Sequence, residues 1–422
     1  MIKQLEWVVK KRKGPLMSIT NDLFHWLSAR FPLKEFDQKH ISGYYAPKNF
    51  NFWYYFGSFS LLVLVNQIIT GIWLTMEYVP TADGAFASVQ HIMRDVRYGW
   101  LLRFMHTTGA SAFFIVIYLH MYRALIYGSY RKPRELLWLI GMAIYLTLLL
   151  EAFTGYVLPW GQMSYWGAAV ITSFASAIPY IGKYIVVWLR GDFMISGVTL
   201  HRFFSLHVIA VPLVILGLVF IHLVALHYVG SNNPDGIDIK AKKDRAGHPL
   251  DGIPFHPYYT VKDLFGAVVF LLVFSAVLFF APKMGGYFLE PDNYLPANSL
   301  KTPDHIAPIW YMTPFYAILR AVPNKFLGLL AMASAIALMF VLPWLDRSPV
   351  RSIRYKGLYS KIAIVIFVVS FVGLGYLGIQ PVSPLRSFLA QFFAVGYFFF
   401  FLTMPFYTRH EKCEPIPMRV TS

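Results

Sequence analysis

The chain is expected to be an all-α, polytopic membrane protein of eight transmembrane helices, the first four forming a four-helix bundle. Three observations predict this. Apolar residues fill 57% of the 422 positions, aromatic residues 18% and charged residues only 14%, with a mean hydropathy of +0.52; soluble domains are not composed this way. The apolar residues gather into eight stretches, at 52–77, 100–127, 134–157, 200–228, 261–281, 326–345, 358–378 and 384–406. Each is long enough to cross a hydrocarbon core of about 30 Å. Four histidines lie inside two of these stretches at matched spacing.

Taken in order, residues 1–51 form an arm. The first apolar run begins only after residue 50, so no cleavable signal peptide is expected, and Lys10, Lys11, Arg12 and Lys13 read as a cytoplasmic anchor. Residues 20–45 carry apolar and charged residues in helical rhythm, the pattern of an amphipathic helix on a membrane surface. Spans one to four define a bundle over 52–240, and the Gly/Pro-rich segment 229–260 is its hinge to a four-span part over 241–410; a tail follows at 411–422. Two long connections, 158–199 and 282–325, fall on one side, and loops of that length are usually functional. With eight spans both termini share a side. That side carries about two thirds of the Lys and Arg residues, which makes it cytoplasmic. The net charge of +16 is thus a topology signal, and nucleic-acid binding is not expected. The single cysteine, Cys413, excludes both covalent haem attachment through CxxCH and a cluster ligated by this chain alone.

His106 and His120 lie 14 residues apart in the second stretch, and His207 and His222 lie 15 apart in the fourth. At 100° and 1.5 Å per residue, each pair shares roughly one helix face and is separated by about 21–22 Å along the axis. Two such helices side by side offer two imidazole pairs at two depths, and two axial imidazoles are what a six-coordinate haem needs. One histidine alone would more often be a polar group packed between helices; four at matched spacing are not. Gly57 and Gly71, and Gly141 and Gly155, repeat the 14-residue period on the flanking stretches, where the lack of Cβ lets helix backbone approach a flat cofactor. Arg103 lies three residues before His106, and Arg123 three after His120, placed to pair with haem propionates. Pro212, between His207 and His222, is expected to kink its helix so that a 15-residue spacing can face a 14-residue one. His227, one turn past His222, and Asp263, beside Lys262, sit at the inner ends of their spans, where a histidine and an acid could serve the carbonyls and protons of a quinone.

These residues fall within segments that resemble cytochrome b, the membrane core of the quinol–cytochrome c oxidoreductase, or respiratory complex III. They are GWLLRFMHTTGAS, YLHMYRALIYGSYR, GYVLPWGQMSYWGA, HRFFSLH, HLVALHYVGSNNPDG, PDNYLPANSLKTPDHIAPIWY, YAILRAVPNK and GIQPV. The resemblance runs from about residue 40 to 406. It implies that His106 and His207 ligate a low-potential b-type haem near the outer surface, and that His120 and His222 ligate a high-potential one near the inner surface. Arg202 of the HRFFSLH segment joins the cofactor-binding set. It further implies an inner quinone-reducing site at His227, Asp263, Lys262 and Ser58, and an outer quinol-oxidising pocket of Tyr156, Pro159, Gly167, Pro308, Trp310, Tyr311 and Tyr316. The expected partners are a Rieske iron–sulfur subunit, a c-type cytochrome subunit and a second copy of the complex. The expected location is a bacterial inner membrane.

Two departures stand out. The fourth-span histidine spacing is 15, whereas mitochondrial relatives have 14. The family's Pro-Glu-Trp-Tyr motif reads Pro308-Ile309-Trp310-Tyr311, so the glutamate usually assigned to take a proton from quinol is absent. Glu151 is the only acid deep within any span, and an ionisable group there is a functional candidate by default. It is expected to line the outer pocket and to supply the missing carboxylate. Two other functions compete: a di-haem membrane anchor of a dehydrogenase or hydrogenase, with one quinone site, and a proton-coupled transporter that uses intramembrane histidines and no haem.

Overall fold

The computed structural model describes residue 22, residues 25–30 and residues 43–421. The basic start, and most of the amphipathic helix expected over 20–45, lie outside the described residues. Among the described residues, eight helices are long and apolar enough to cross a membrane: Phe52–Thr75, Gly99–Tyr127, Glu135–Val157, Gly197–Val229, Phe255–Phe280, Lys325–Leu345, Leu358–Ile379 and Pro384–His410. They coincide with the eight stretches read from hydropathy, because a backbone in hydrocarbon must satisfy its own hydrogen bonds and the helix does so locally.

The described residues group into two compact units. The smaller unit contains residues up to Lys48 together with Ile239–Leu264. Its centre is a two-stranded antiparallel ladder, β1 (Tyr45–Pro47) with β2 (Gly252–Pro254), in the register Tyr45↔Pro254, Ala46↔Ile253 and Pro47↔Gly252. The Tyr259 hydroxyl donates to the Pro47 carbonyl at 2.6 Å, and Lys48 pairs with Asp251 at 3.5 Å.

The larger unit, Asn49–Asp238 with Phe265–Ser422, holds the bundle. The first span packs on the second and the third on the fourth. A short helix, Thr313–Ala321, is buried against the sixth, seventh and eighth spans. The Trp138 indole donates to the Met339 carbonyl at 2.8 Å, tying the third span to the sixth. The second span closes at Gly128, whose φ of +63° is the left-handed cap that glycine adopts without a Cβ penalty.

The two ends of this unit are fastened differently. At the end bearing the loops 128–134 and 346–357, called inner, the fully buried Asp346 carboxylate meets Lys356 at 2.6 Å, Arg131 at 3.7 Å and the Tyr130 hydroxyl at 2.7 Å. At the opposite, outer end, backbone stitches the two long loops together. Gln162 N donates to the Leu295 carbonyl and Ala297 N to the Trp160 carbonyl, both at 3.0 Å, and Ser164 N donates to Asn293 Oδ1 at 2.8 Å.

Candidate functional site

The fourth span is a helix with a defect. Helix Gly197–Ser205 passes through a π-turn at Leu206–Ala210 into helix Val211–Val229. A π-turn adds one residue to a helical turn, so 15 residues advance the chain about as far, and around as far, as 14 do elsewhere. His207 lies in that turn. The expected kink at Pro212 is corrected accordingly: the π-turn absorbs the extra residue, and Pro212 follows it as a first-turn residue of the next helix, where its missing N–H costs least.

The four histidines meet as the spacing requires. The ring centroids of His106 and His207 are 6.0 Å apart, and His120 and His222 are electrostatic neighbours. Each ring is faced by one glycine. A Cβ on Gly71 would stand 3.3 Å from His106 Cε1, and one on Gly57 3.4 Å from His120 Cε1. At Gly141 it would stand 3.3 Å from His222 Cε1, and at Gly155 only 2.3 Å from His207 Cε1.

Around the outer pair, Thr70 Oγ1 lies 2.9 Å from His106 Nδ1, and His207 Nδ1 lies 3.0 Å from the Glu151 carbonyl oxygen. The Glu151 side chain joins it, with Oε1 also 3.0 Å from His207 Nδ1. This corrects the expectation that Glu151 faces the quinol pocket: one turn of helix before Gly155 its carboxylate reaches the imidazole that Gly155 admits. Beside the inner pair, Arg123 Nη2 is 3.5 Å from His120 Nδ1, and the guanidinium lies over the Tyr54 ring at 4.8 Å. The buried Arg123 Nε has no protein partner among the described residues, as suits a group awaiting an anion. Arg103 is buried. Arg202 departs from expectation: it is exposed and donates to the Trp188 carbonyl at 2.6 Å, which turns it toward the surface segment 182–191.

At the outer end, Trp310 donates through Nε1 to Ser111 at 3.1 Å and stacks on Phe288. Tyr311 is buried, stacks on Phe114 at 3.7 Å and accepts from the Tyr118 hydroxyl through its carbonyl. Tyr316 stacks on Phe174 at 6.2 Å. Gly167 lies against the Tyr156 ring, Pro159 enters the turn in which Trp160 holds a left-handed φ of 53°, and Pro308 precedes Ile309, which is buried among apolar side chains. The acid that sequence reasoning missed is Glu290. The Tyr156 hydroxyl donates to Glu290 Oε2 at 2.9 Å. Burial raises the Glu290 carboxyl to about 7, against only partial lowering by hydrogen bonds from its own backbone and Tyr156. Burial and that same carboxylate push the Tyr311 phenol well above its ordinary range. One signal was available: Glu290 is one of few acids in the outer loop and directly precedes the matched PDNYLPANSL segment.

At the inner ends, His227 Nδ1 lies 2.8 Å from the Leu223 carbonyl oxygen, and Ser58 is half-buried on the first span; both belong to the larger unit. Lys262, over the Tyr259 ring at 5.2 Å, and Asp263 belong to the smaller one.

Two family models match the chain, "Cytochrome b/b6/petB" over residues 41–230 and "Cytochrome b(C-terminal)/b6/petD" over residues 296–398. The chain belongs to the cytochrome b family. It is 60% identical to the cytochrome b of Allochromatium vinosum, over 94% of this chain and 98% of that one. It is 52% identical to that of Rickettsia bellii, over 96% and 98%. Among solved structures it is similar to a chain of a "Hyperthermophilic respiratory Complex III", with a TM-score of 0.85 and 38% identity over 92% of this chain and 99% of the other. As a cytochrome b it is a transmembrane electron-transport subunit of a redox complex, respiratory complex III, and its family binds b-type haems.

The residues present fit that group. Metal–imidazole bonds of about 2 Å on either side of one iron set ring centroids roughly 6 Å apart, as for His106 and His207. The four glycines form a cradle that side chains would fill, and the unpaired Arg123 Nε suits a propionate.

Proposed function

We propose that this cytochrome b is the catalytic core of a proton-translocating quinol–cytochrome-c reductase. Quinol is oxidised at the outer end; one electron passes to a Rieske iron–sulfur subunit and on to a c-type cytochrome subunit, and the other crosses the membrane to reduce quinone at the inner end. The complex works as a homodimer in a bacterial inner membrane, with both termini cytoplasmic. The functional parts are the haem-holding segment 52–240 and the carboxyl-terminal segment 241–410.

Two non-covalent b-type haems, when bound, supply one-electron carriers at two depths of the bundle. His106 and His207 hold the low-potential one, and His120 and His222 the high-potential one. Gly57, Gly71, Gly141 and Gly155 keep side chains out of their planes, and Arg103 and Arg123 neutralise their carboxylates. Tyr156, Pro308, Trp310, Tyr311 and Tyr316 shape the quinol pocket and exclude water from it. Ser58 and His227 are assigned to holding quinone, and Lys262 and Asp263 to supplying the protons its reduction consumes.

One observation carries this reading: two histidine pairs at two depths, every ring faced by its own glycine. The two long stitched outer loops favour a quinol-oxidising site over the haem-anchor reading. The test is haem content and potentiometry on the purified complex. Wild type should carry two b-type haems of separate potential, and His120→Leu should lose the inner one while the outer survives. Asp263→Asn should retain both yet slow re-oxidation of the inner haem by quinone. Two full haems in His120→Leu, or none in wild type, would overturn the reading.

A further inference from the structure

Quinol oxidation releases two protons in a pocket that lipid and loops screen from water, and Ile309 can accept neither. Ile309 is buried in the apolar core and has no polar function to offer. Four other titratable groups lie near enough to consider. Glu151 is turned to His207. Asp292 and Asp304 are exposed to bulk water, and His305 Nε2 is 2.7 Å from the Ile379 carbonyl oxygen.

Glu290 differs from all of them. It stands at the start of the turn Pro291–Tyr294, and that turn is fixed in place because Asn293 accepts from Ser164 N and a bridge pairs Gly161 with Pro296. The loop lattice thereby holds its carboxylate against the Tyr156 hydroxyl, 134 residues away in sequence. Tyr156 and Tyr311 are its neighbours from the third span and from the Trp310–Met312 turn, and Asp292 is the nearest charge on its own segment. No lysine or arginine stands within ion-pair distance of it among the described residues.

We propose that Glu290 is the proton acceptor of the outer quinol-oxidising pocket, supplying from nineteen residues upstream the carboxylate that the Pro308-Ile309-Trp310-Tyr311 motif lacks. This rests on the functional reading above. The step balances as follows. Two quinol O–H bonds break and two electrons leave, one to the iron–sulfur partner and one into the bundle through the outer histidine pair. One proton forms an O–H bond on the Glu290 carboxylate, and the other departs with the electron that the iron–sulfur partner takes. Glu290 then returns its proton to outer water. A carboxylate offers about four acceptor positions, so the Tyr156 hydrogen bond orients it without exhausting it. A group with no counter-cation, displaced from water, titrates near neutrality and can both take up and release a proton there.

The test compares wild type, Glu290→Gln, Glu290→Asp and Glu290→Gln with Ile309→Glu, each in the assembled complex and each with haem content checked. Glu290→Gln should lower kcat at least about tenfold with KM little changed, and should abolish the inflection near pH 7 above which wild-type quinol oxidation is fast. Glu290→Asp should keep an inflection at a reduced rate. The double variant should recover much of the rate. Infrared titration without quinol supplies a readout independent of turnover: a carboxylic-acid C=O band that disappears as pH rises through about 7 in wild type should be missing from Glu290→Gln. Wild-type rate and pH profile in haem-replete Glu290→Gln would overturn the assignment, and so would a band that persists in it. If wild type fails to reduce its b-type haems with quinol while the infrared band behaves as expected, the functional reading falls and this role falls with it.

Discussion

The outer and inner ends of the molecule both withdraw a carboxylate from water, and they treat it in opposite ways. Asp346, at the inner end, is surrounded by Lys356, Arg131 and the Tyr130 hydroxyl. Burial alone would raise its carboxyl, but those two cations and their hydrogen bonds overcome burial and hold it below the ordinary carboxylate range. Glu290, at the outer end, has a phenol for company and no cation, so burial wins and its carboxyl rises to about 7. The same penalty for a buried charge therefore yields a permanently ionised clamp at one end and a proton-exchanging group at the other. The surroundings of the histidine pairs also differ: the outer one has the Glu151 carboxyl beside it together with the buried Arg103 guanidinium, and the inner one the Arg123 guanidinium.

The largest effect should come from breaking the clamp. Asp346→Ala leaves Lys356 and Arg131 without their counter-charge, and removing one member of a buried pair costs about 3–5 kcal/mol. The thermal midpoint in detergent should fall sharply, whereas Glu290→Gln, which removes a group whose ionisation is already unfavourable by neutral pH, should not lower it there. The pH signs also oppose. The Asp346 contribution is present above the ordinary value of 3.8 and is lost as pH falls through its depressed folded value. Glu290 folds with a raised value, so its effect is nil below 4.5 and becomes unfavourable as pH rises toward about 7. Equal midpoint losses in the two variants would erase the comparison.

Next in size are the glycines. A Cβ at Gly155 would clash at 2.3 Å with His207, whereas one at Gly57 would sit at a tolerable 3.4 Å from His120. Gly155→Val should strip the outer haem, and Gly57→Ala should keep both; haem-to-protein ratios decide, and an outer site that fills normally in Gly155→Val would show that the cradle is not needed. The smallest effect sharpens the electrostatic contrast. Glu151→Gln should raise the outer midpoint potential and Arg123→Gln should lower the inner one, each on the order of 60 mV, a tenfold change in a one-electron equilibrium. An outer potential unmoved by Glu151→Gln would sink this prediction.

Much of this molecule was legible before any coordinates. Hydropathy located the eight spans found among the described residues, and helical periodicity predicted two histidine pairs at two depths with glycines at the same period on the flanking stretches, while the resemblance supplied the pairing of His106 with His207; the structure showed which glycine faces which ring. Both are local signals: lipid forces the backbone to satisfy itself within each segment, and a helix of known pitch turns spacing into direction. The fifteenth residue of the fourth span announced that something must give, but only the structure placed the defect in a π-turn at Leu206–Ala210 and not at Pro212. Glu151 was identified correctly as an acid deep within a span, yet its target was decided by which neighbouring helix stood opposite, and that was the one bearing His207. Glu290 and Tyr156 have no periodic relation at all; their pairing exists because two outer loops are laced together by backbone hydrogen bonds. Composition and period determine which residues enter the membrane and which way they point along one helix. Which side chains meet across the bundle depends on the packing of separate segments, and no spacing within a single segment encodes that.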